Sequence, residues 1–414
     1  MAKILVFFAL LVSIEFWSFI YLPKSSIPII CVFLLSCFLI FTKKSYFNKS
    51  FIDYIVNWTI ITIFLSLIPS IIDYDQDLLL TSRSCIALSY GLFLYFVIKK
   101  YHLSHEFLIK IVTTICVIWV LLEILQQFTY PPMVLFSGRY QYNKSVEERL
   151  GLYRFYIYGV DFVMMMFAFW LSTIYNNKKI NVRAIVLTII FLVGLLCYGS
   201  RKHIYVTIFI LLLFVFNAKK KQMSKFQKSL VGLFIILFIF TLYSFFFTSL
   251  QKLNEESSML QGDNEDFIRF LSLKYYLFDF SNSPLYPIFG AGLDYEGSGL
   301  RHQLELANNY FGERHGFYQQ DIGIFGYYSK FGFFGVSAII LYIVYFVGNW
   351  KYIDNWLKYF FIMKIILIVF DFWAIWAVGM MAYSIFLVFL DLNIKKNKKL
   401  IVKKRKLSQH FLQR

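Results

Sequence analysis

The sequence predicts an all-α polytopic membrane protein of about twelve transmembrane helices, with one large external loop between spans 9 and 10. Three observations carry this. Of 414 residues, 59% are hydrophobic and 16% charged, with a mean hydropathy of +0.63. A soluble domain of this size needs far more polar surface. The charges gather in short patches between apolar runs long enough to cross a bilayer. Lysines cluster at every second exit from those runs, as helices that alternate in direction require. The roughly ten-residue alternating segments of a β-barrel do not occur.

The first element is "MAKILVFFALLVSIEFWSFIYLPK". It is too long for a signal peptide and has no small-x-small cleavage site, so it reads as a retained anchor. A span needs about 20 apolar residues. Spans fall near 4–22, 27–42, 51–72, 78–98, 107–130, 155–175, 184–199, 203–217, 229–250 and 322–348. The apolar block 359–391 is too long for one span and divides around Asp371–Trp376 into a tight pair. The chain therefore divides into 1–250 (spans 1–9), 251–321 (external, periplasmic loop), 322–392 (spans 10–12) and a basic tail, 393–414.

Lysine placement orients this arrangement. Lys43, Lys44 and Lys49 follow span 2, Lys99 and Lys100 span 4, Lys178 and Lys179 span 6, and Lys219, Lys220 and Lys221 span 8. Lys351 and Lys358 follow span 10, and "KKNKKLIVKKRK" follows span 12. These loops and both termini are expected to be cytoplasmic. The net charge of +17 is thus explained by topology and does not call for nucleic acid. The five cysteines (Cys31, Cys37, Cys85, Cys116, Cys197) all lie in apolar stretches without CxxC or Cys/His spacing, which argues against disulfide frameworks and zinc sites.

The arginines are distributed differently. Only Arg183, Arg405 and Arg414 fall on the cytoplasmic side of this topology. Arg83, Arg139, Arg149, Arg154, Arg201, Arg269, Arg301 and Arg314 lie in or just below external loops. A guanidinium keeps its charge when partly buried, grips phosphate with two N–H groups and stacks on sugars or aromatics. The plainer alternative is ion pairing with Glu147, Glu148, Glu255, Glu256, Asp263 or Glu265. Arg83 is the sharpest case, because "LLLTSRSCIALSYG" places it about a turn and a half below the outer end of span 4. Charge at that depth is costly and marks a functional candidate. In the loop before span 4, "DYDQD" (73–77) reads as short and solvated.

The loop 251–321 is aromatic-rich, unlike a disordered linker. "NEDFIRFLSLKYYLFDF" (264–280) carries Phe267, Phe270, Leu271, Leu277 and Phe278 at helical spacing and suits an interfacial helix. "SPLYPIFGAGLDYEGSG" reads as a tight ordered turn instead of a helix. "GERHGFYQQDIGIFGYYSKFGFFG" (312–335) leads into span 10.

At these residues the chain resembles the O-antigen polymerase and O-antigen ligase superfamily, integral-membrane glycosyltransferases of bacterial surface polysaccharide assembly. "GSRKH" (199–203) resembles a Gly-Ser-Arg at the outer junction of two spans. Arg269, followed about twenty residues later by "IFGAG", resembles an arginine and then a Phe-Gly-x-Gly turn. His315 with Asp321 and the glycines of "DIGIFGYYSKFGFFG" resembles a histidine and a glycine-punctuated return to the membrane. The resemblance covers roughly residues 190–340. It implies a bacterial inner-membrane enzyme that uses undecaprenyl-pyrophosphate-linked oligosaccharide at the outer leaflet and needs no metal or other cofactor. It also implies the bilayer, a chain-length regulator and flippase proteins as surroundings and partners.

Such chemistry must stabilise the leaving pyrophosphate and take a proton from the acceptor hydroxyl. Fixed cations serve the first need, and Arg201, Arg269 and Arg83 are placed for it, with Arg139, Arg301 and Arg314 as further phosphate contacts. His315 is the candidate general base, with Glu313 and Asp321 as substitutes. Tyr318, Tyr295 and Tyr310 are candidates to stack on sugar faces. His203 adjoins Arg201 but is expected to point into span 8. Glu15 and Glu123 are intramembrane carboxylates, either relay groups or satisfied structural ones. Three readings stay open: polymerase, ligase moving finished glycan to a lipid core or protein, and lipid-linked glycan flippase. A non-catalytic member of the assembly complex is a fourth.

Overall fold

The structure, a computed structural model, describes residues 1–16, 26–42, 49–130, 135, 147–149, 152–155, 159–176, 181–218, 265–309 and 316–412. Nearly all of this is helical. In chain order the helices are α1 (Ala2–Ser13), α2 (Ile27–Thr42), α3 (Phe51–Leu65), α4 (Leu67–Ile72), α5 (Leu78–Lys100), α6 (His105–Thr129), α7 (Val160–Asn176), α8 (Val182–Cys197) and α9 (Arg201–Ala218). They continue as α10 (Glu265–Lys274), α11 (Tyr286–Phe289), α12 (Gly299–Asn308), α13 (Ile324–Gly348), α14 (Asn355–Leu367) and α15 (Ala377–Leu412). An antiparallel hairpin of β1 (Glu147–Arg149) and β2 (Leu152–Arg154) departs from the all-α expectation.

Among the described residues, five helical stretches are long and apolar enough to cross a membrane: Phe51–Ile72, Leu78–Lys100, His105–Thr129, Ile324–Gly348 and Ala377–Lys403. The expected span 9 (229–250) lies outside the described residues, as do residues 251–264 of the loop. The apolar block 359–391 does break at its centre. α14 ends at Leu367, a single 3₁₀ turn covers Trp373–Ile375, and α15 begins at Ala377.

Local chemistry sets several boundaries. Ser50 and Asp53 form a reciprocal capping box on α3. Asp77, Ser104, Asn181 and Ser298 each accept an N–H from the first turn of α5, α6, α8 and α12. The first half of α15 is apolar on every side up to Leu390 and forms the centre of the bundle: Val378 through Asp391 are all buried, as a helical stretch without a polar face must be. It packs most closely on α5 at Gly91, where an added Cβ would stand 2.9 Å from Met381 Cα. Ser384 Oγ donates to the Gly91 carbonyl at the same crossing.

Polar clusters mark one end of the bundle. Lys99 pairs with Asp53 and, at 3.3 Å, with Asp391, which Lys395 also meets at 2.7 Å. Nearby, Asn397 Nδ2 donates to Asp354 at 2.9 Å, and the Asp354 N–H donates to Asn393 at 2.9 Å.

The loop residues form a second, smaller core of Tyr276, Phe280, Tyr286, Leu300, Leu304 and Phe317. Of the expected helix 264–280, the described residues 265–279 are helical: α10 runs on through a π-helical turn at Tyr275–Asp279. Its inward face carries Tyr276 and Phe280, whereas Phe270 and Phe278 are exposed. Two expectations are corrected here. "SPLYPIFGAG" contains the one-turn helix α11 before its glycine turn. "DYDQD" is docked and not freely solvated, because Gln76 is buried and Tyr74 packs on the small core. The Tyr74 hydroxyl is held above its usual range, by burial first. Docking replaces the solvation that the string of acids suggests.

Candidate functional site

The site begins at a break in α13. Gly332 has φ +58°, ψ −159°, with helical turns on both sides. A break there denies the carbonyls of Ser329 and Lys330 their usual partners one turn on. The "IFGAG" turn replaces them. Ala291 N–H donates to Ser329 O at 2.8 Å, and Gly292 N–H to Lys330 O at 3.0 Å. The two backbones interlock through paired glycines. A Cβ at Gly290 (φ +74°) would lie 2.3 Å from the Lys330 carbonyl carbon, and one at Gly332 would lie 2.3 Å from that of Ile288. Ser70 of α4 closes the third side, 1.9 Å from where a Gly292 Cβ would stand. Discontinuous helices of this kind in membrane proteins occur where backbone is buried in protein or lines a cavity.

Beyond the turn, Ser84 of α5 donates to the Asp294 carbonyl at 3.0 Å. Asp294 and Glu305 hold Arg301 at 3.1 and 2.8 Å. Tyr295 Oη accepts the Asp77 N–H at 3.1 Å, tying the loop to the cap of α5. Arg83, next to Ser84, is exposed and makes no ion pair with a described residue.

The "GSRKH" end of α9 meets the turn between α14 and α15. Lys202 Nζ lies 2.9 Å from Asp371, and His203 Nε2 lies 3.7 Å from it. His203 is buried, with Nδ1 2.9 Å from Ser200 Oγ and its ring edge-on to Tyr198. Burial raises the Asp371 carboxyl, but Lys202, His203 and Lys364 together overcome it and hold the group below the usual carboxylate range. The turn also receives α13, since Ile324 N–H donates to Ile368 O at 2.8 Å. Close by, Lys364 of α14 pairs with Asp161 of α7, both nearly enclosed. Lys330 lies 5.2 Å from the Trp376 ring centroid.

The expected site residues are distributed as follows. Arg139, Arg314, His315, Glu313 and Tyr310 lie outside the described residues, as do the side chains of Arg201, Arg149 and Arg154. The Arg201 backbone opens α9. Arg269 is exposed on α10. Among the described residues, Arg301 is an arginine for which the ion-pair alternative holds, with partners, Asp294 and Glu305, that are none of those expected. Tyr318 and Asp321 adjoin, Asp321 N–H donating to Tyr318 O at 3.1 Å. Burial first, and Asp321 second, push the Tyr318 hydroxyl above its usual range. His203 is buried as expected, but its Nε2 faces Asp371. Glu123 is buried, and its Oε1 has no partner among the described residues.

Sequence reasoning missed Asp371 as a meeting point and passed over Lys330, Lys364 and Asp161. A signal existed for the two lysines. Both sit within apolar runs near the end of the bundle opposite the lysine-marked loops, against the lysine rule itself. Comparison with known proteins finds no matching family model and no matching curated protein.

Proposed function

We propose that the chain is a polytopic membrane glycosyltransferase that joins undecaprenyl-pyrophosphate-linked oligosaccharide repeat units into a surface polysaccharide. The observation that supports this is the meeting, at one end of the bundle, of the two segments most like the O-antigen polymerase and ligase superfamily: the "IFGAG" turn seated in the break of α13. "GSRKH" closes on the adjoining turn at Asp371. On this reading the site faces the outer leaflet of the bacterial cytoplasmic membrane, the chain crosses it about twelve times with both termini inside, and 251–321 is external.

In the reaction, the acceptor hydroxyl oxygen forms the new bond to the anomeric carbon of the donor glycan. The bond from that carbon to the pyrophosphate oxygen breaks, and its electron pair leaves with the pyrophosphate. Arg201, Arg269 and Arg83 stabilise the departing charge, and His315 takes the acceptor proton. Arg201→Lys and Arg269→Lys keep the cation but lose the two-pronged grip. In single-turnover transfer with purified protein and a lipid-linked repeat unit, each is expected to lose most product formation. His315→Ala is expected to fall by about 10²–10⁴. Near-parental turnover in all three would remove the proposal.

Topology is tested separately. With single cysteines in a cysteine-free background, an impermeant thiol reagent on intact cells is expected to modify Ser258→Cys and spare Lys398→Cys. The reverse pattern would invert the arrangement.

The enclosed Asp161–Lys364 pair favours a second reading, a lipid-linked glycan flippase, since transporters place charges inside the bundle. Movement of the lipid-linked unit across vesicles without chain growth would establish that reading.

A further inference from the structure

Lys330 is a cation that the fold holds in place without an ion pair to any described residue. It is 8% exposed. Its ammonium makes no hydrogen bond and no ion pair with any described residue; the Asp294 carboxylate attracts it from beyond ion-pair distance, Arg301 opposes that attraction, and the face of Trp376 stands 5.2 Å away. Burial of an ammonium without an ion-pair partner is costly, and a cation–π contact offsets only part of that cost. Other cations of this end are matched: the enclosed Lys364 by Asp161, Lys202 by Asp371 and the half-exposed Arg301 by Asp294 and Glu305. Asp371, Asp161, Asp294 and Glu305 are thereby engaged, and Lys330 is an enclosed cation with no ion pair among the described residues.

The backbone around Lys330 is also fixed. Its carbonyl accepts from Gly292, its carbonyl carbon abuts Gly290, and the next residue but one is the break at Gly332. The side chain therefore leaves a rigid point roughly 9 Å along α13 from Ile324, at the helix rise of about 1.5 Å per residue. An ammonium so placed lies against both the glycine turn of the loop and Trp376 of the α14–α15 turn, enclosed from free solvent. A charged group attached to a lipid tail reaches such a position.

We infer that Lys330 binds a phosphate oxygen of a polyprenyl pyrophosphate, the anion supplying the ion pair that no described residue makes. This rests on the function proposed above and adds to it a phosphate contact that is a lysine within the membrane-embedded break. Trp376 forms the wall behind the ammonium and limits the directions from which an anion approaches.

The test is binding of undecaprenyl pyrophosphate to the full-length protein in nanodiscs, with inorganic pyrophosphate as a parallel probe and the thermal midpoint measured on the same samples. Lys330→Met, close in shape and uncharged, is expected to bind the lipid at least about 10-fold more weakly, while its midpoint is unchanged or higher because an unpaired charge is gone. Lys330→Gln is expected to behave alike. Parental affinity in Lys330→Met would overturn the inference. So would a lowered midpoint or failure to fold, which would make Lys330 a structural cation. Inorganic pyrophosphate binding as tightly as the lipid would also overturn it, by showing a site for free anion. The outcome is separable from the proposed reaction. A protein that binds the lipid through Lys330 but transfers no glycan keeps this site and loses the glycosyltransferase assignment.

Discussion

Asparagine in place of Asp161 is expected to destabilise the purified protein by about 3–5 kcal/mol, the usual cost of removing one partner from an enclosed ion pair. The Lys364 side chain is 6% exposed and that of Asp161 14%. Around Lys364 stand the rings of Phe360 and Trp373, 5.7 and 5.1 Å from the ammonium. They stabilise a cation modestly but cannot replace a carboxylate. Lys364→Met is expected to cost a similar amount, since it leaves the Asp161 carboxylate in the same enclosure. The combined variant Asp161→Asn, Lys364→Met should recover most of the loss, because two neutral side chains need no mutual compensation. Thermal or denaturant unfolding in one detergent measures all three. If Asp161→Asn stays within about 1 kcal/mol of the parent, the pair is solvated and behaves as a surface ion pair.

This end of the molecule also shows which features a sequence carries and which it hides. The long helices were legible because a bilayer imposes length and continuous apolarity, so 51–72, 78–100, 105–129 and 324–348 stand out without any knowledge of neighbours. The break in 359–391 was legible for the same reason, since one span cannot absorb so many residues. Pairing was not legible. Lys202 and Asp371 are 169 positions apart, and nothing local in either apolar run names the other. Lys330 was obscured by the rule that oriented the chain, which treats lysine as a marker of side and not as a ligand. The small core of the loop was hidden by its own richness in aromatics, which gives no single period across a π-turn, the two short helices α11 and α12, and a 3₁₀ turn at Gln319–Ile322. The "IFGAG" glycines were singled out correctly as a turn. That the turn serves to fill a broken helix became visible only with its long-range partner, Gly332.

That partnership leads to the second large effect. Gly290→Ala is expected to cost about 2–6 kcal/mol, from a penalty of about 1–3 for a side chain at φ +74°, ψ −165° plus two interlocking hydrogen bonds of about 0.5–1.5 each. Gly290 has φ +74°, and the atoms its Cβ would meet are backbone: Lys330 C at 2.3 Å and O at 2.4 Å, Phe331 N at 2.4 Å. No side chain can rotate aside, so the turn must lift and release Ala291 N–H from Ser329 O and Gly292 N–H from Lys330 O. Gly297→Ala is the matched control. Its φ is +85°, but nothing lies within 4 Å of the added Cβ, so it carries the backbone penalty alone. Gly332→Ala meets Ile288 C at 2.3 Å from the opposite side of the same contact. Because either substitution opens the interlock, the double variant should lose little more than the worse single one, a strongly non-additive result. Unfolding midpoints of the four variants under one condition decide the matter. Equal costs for Gly290→Ala and Gly297→Ala, or full additivity of Gly290→Ala with Gly332→Ala, would mean that the turn and the broken helix do not lock together.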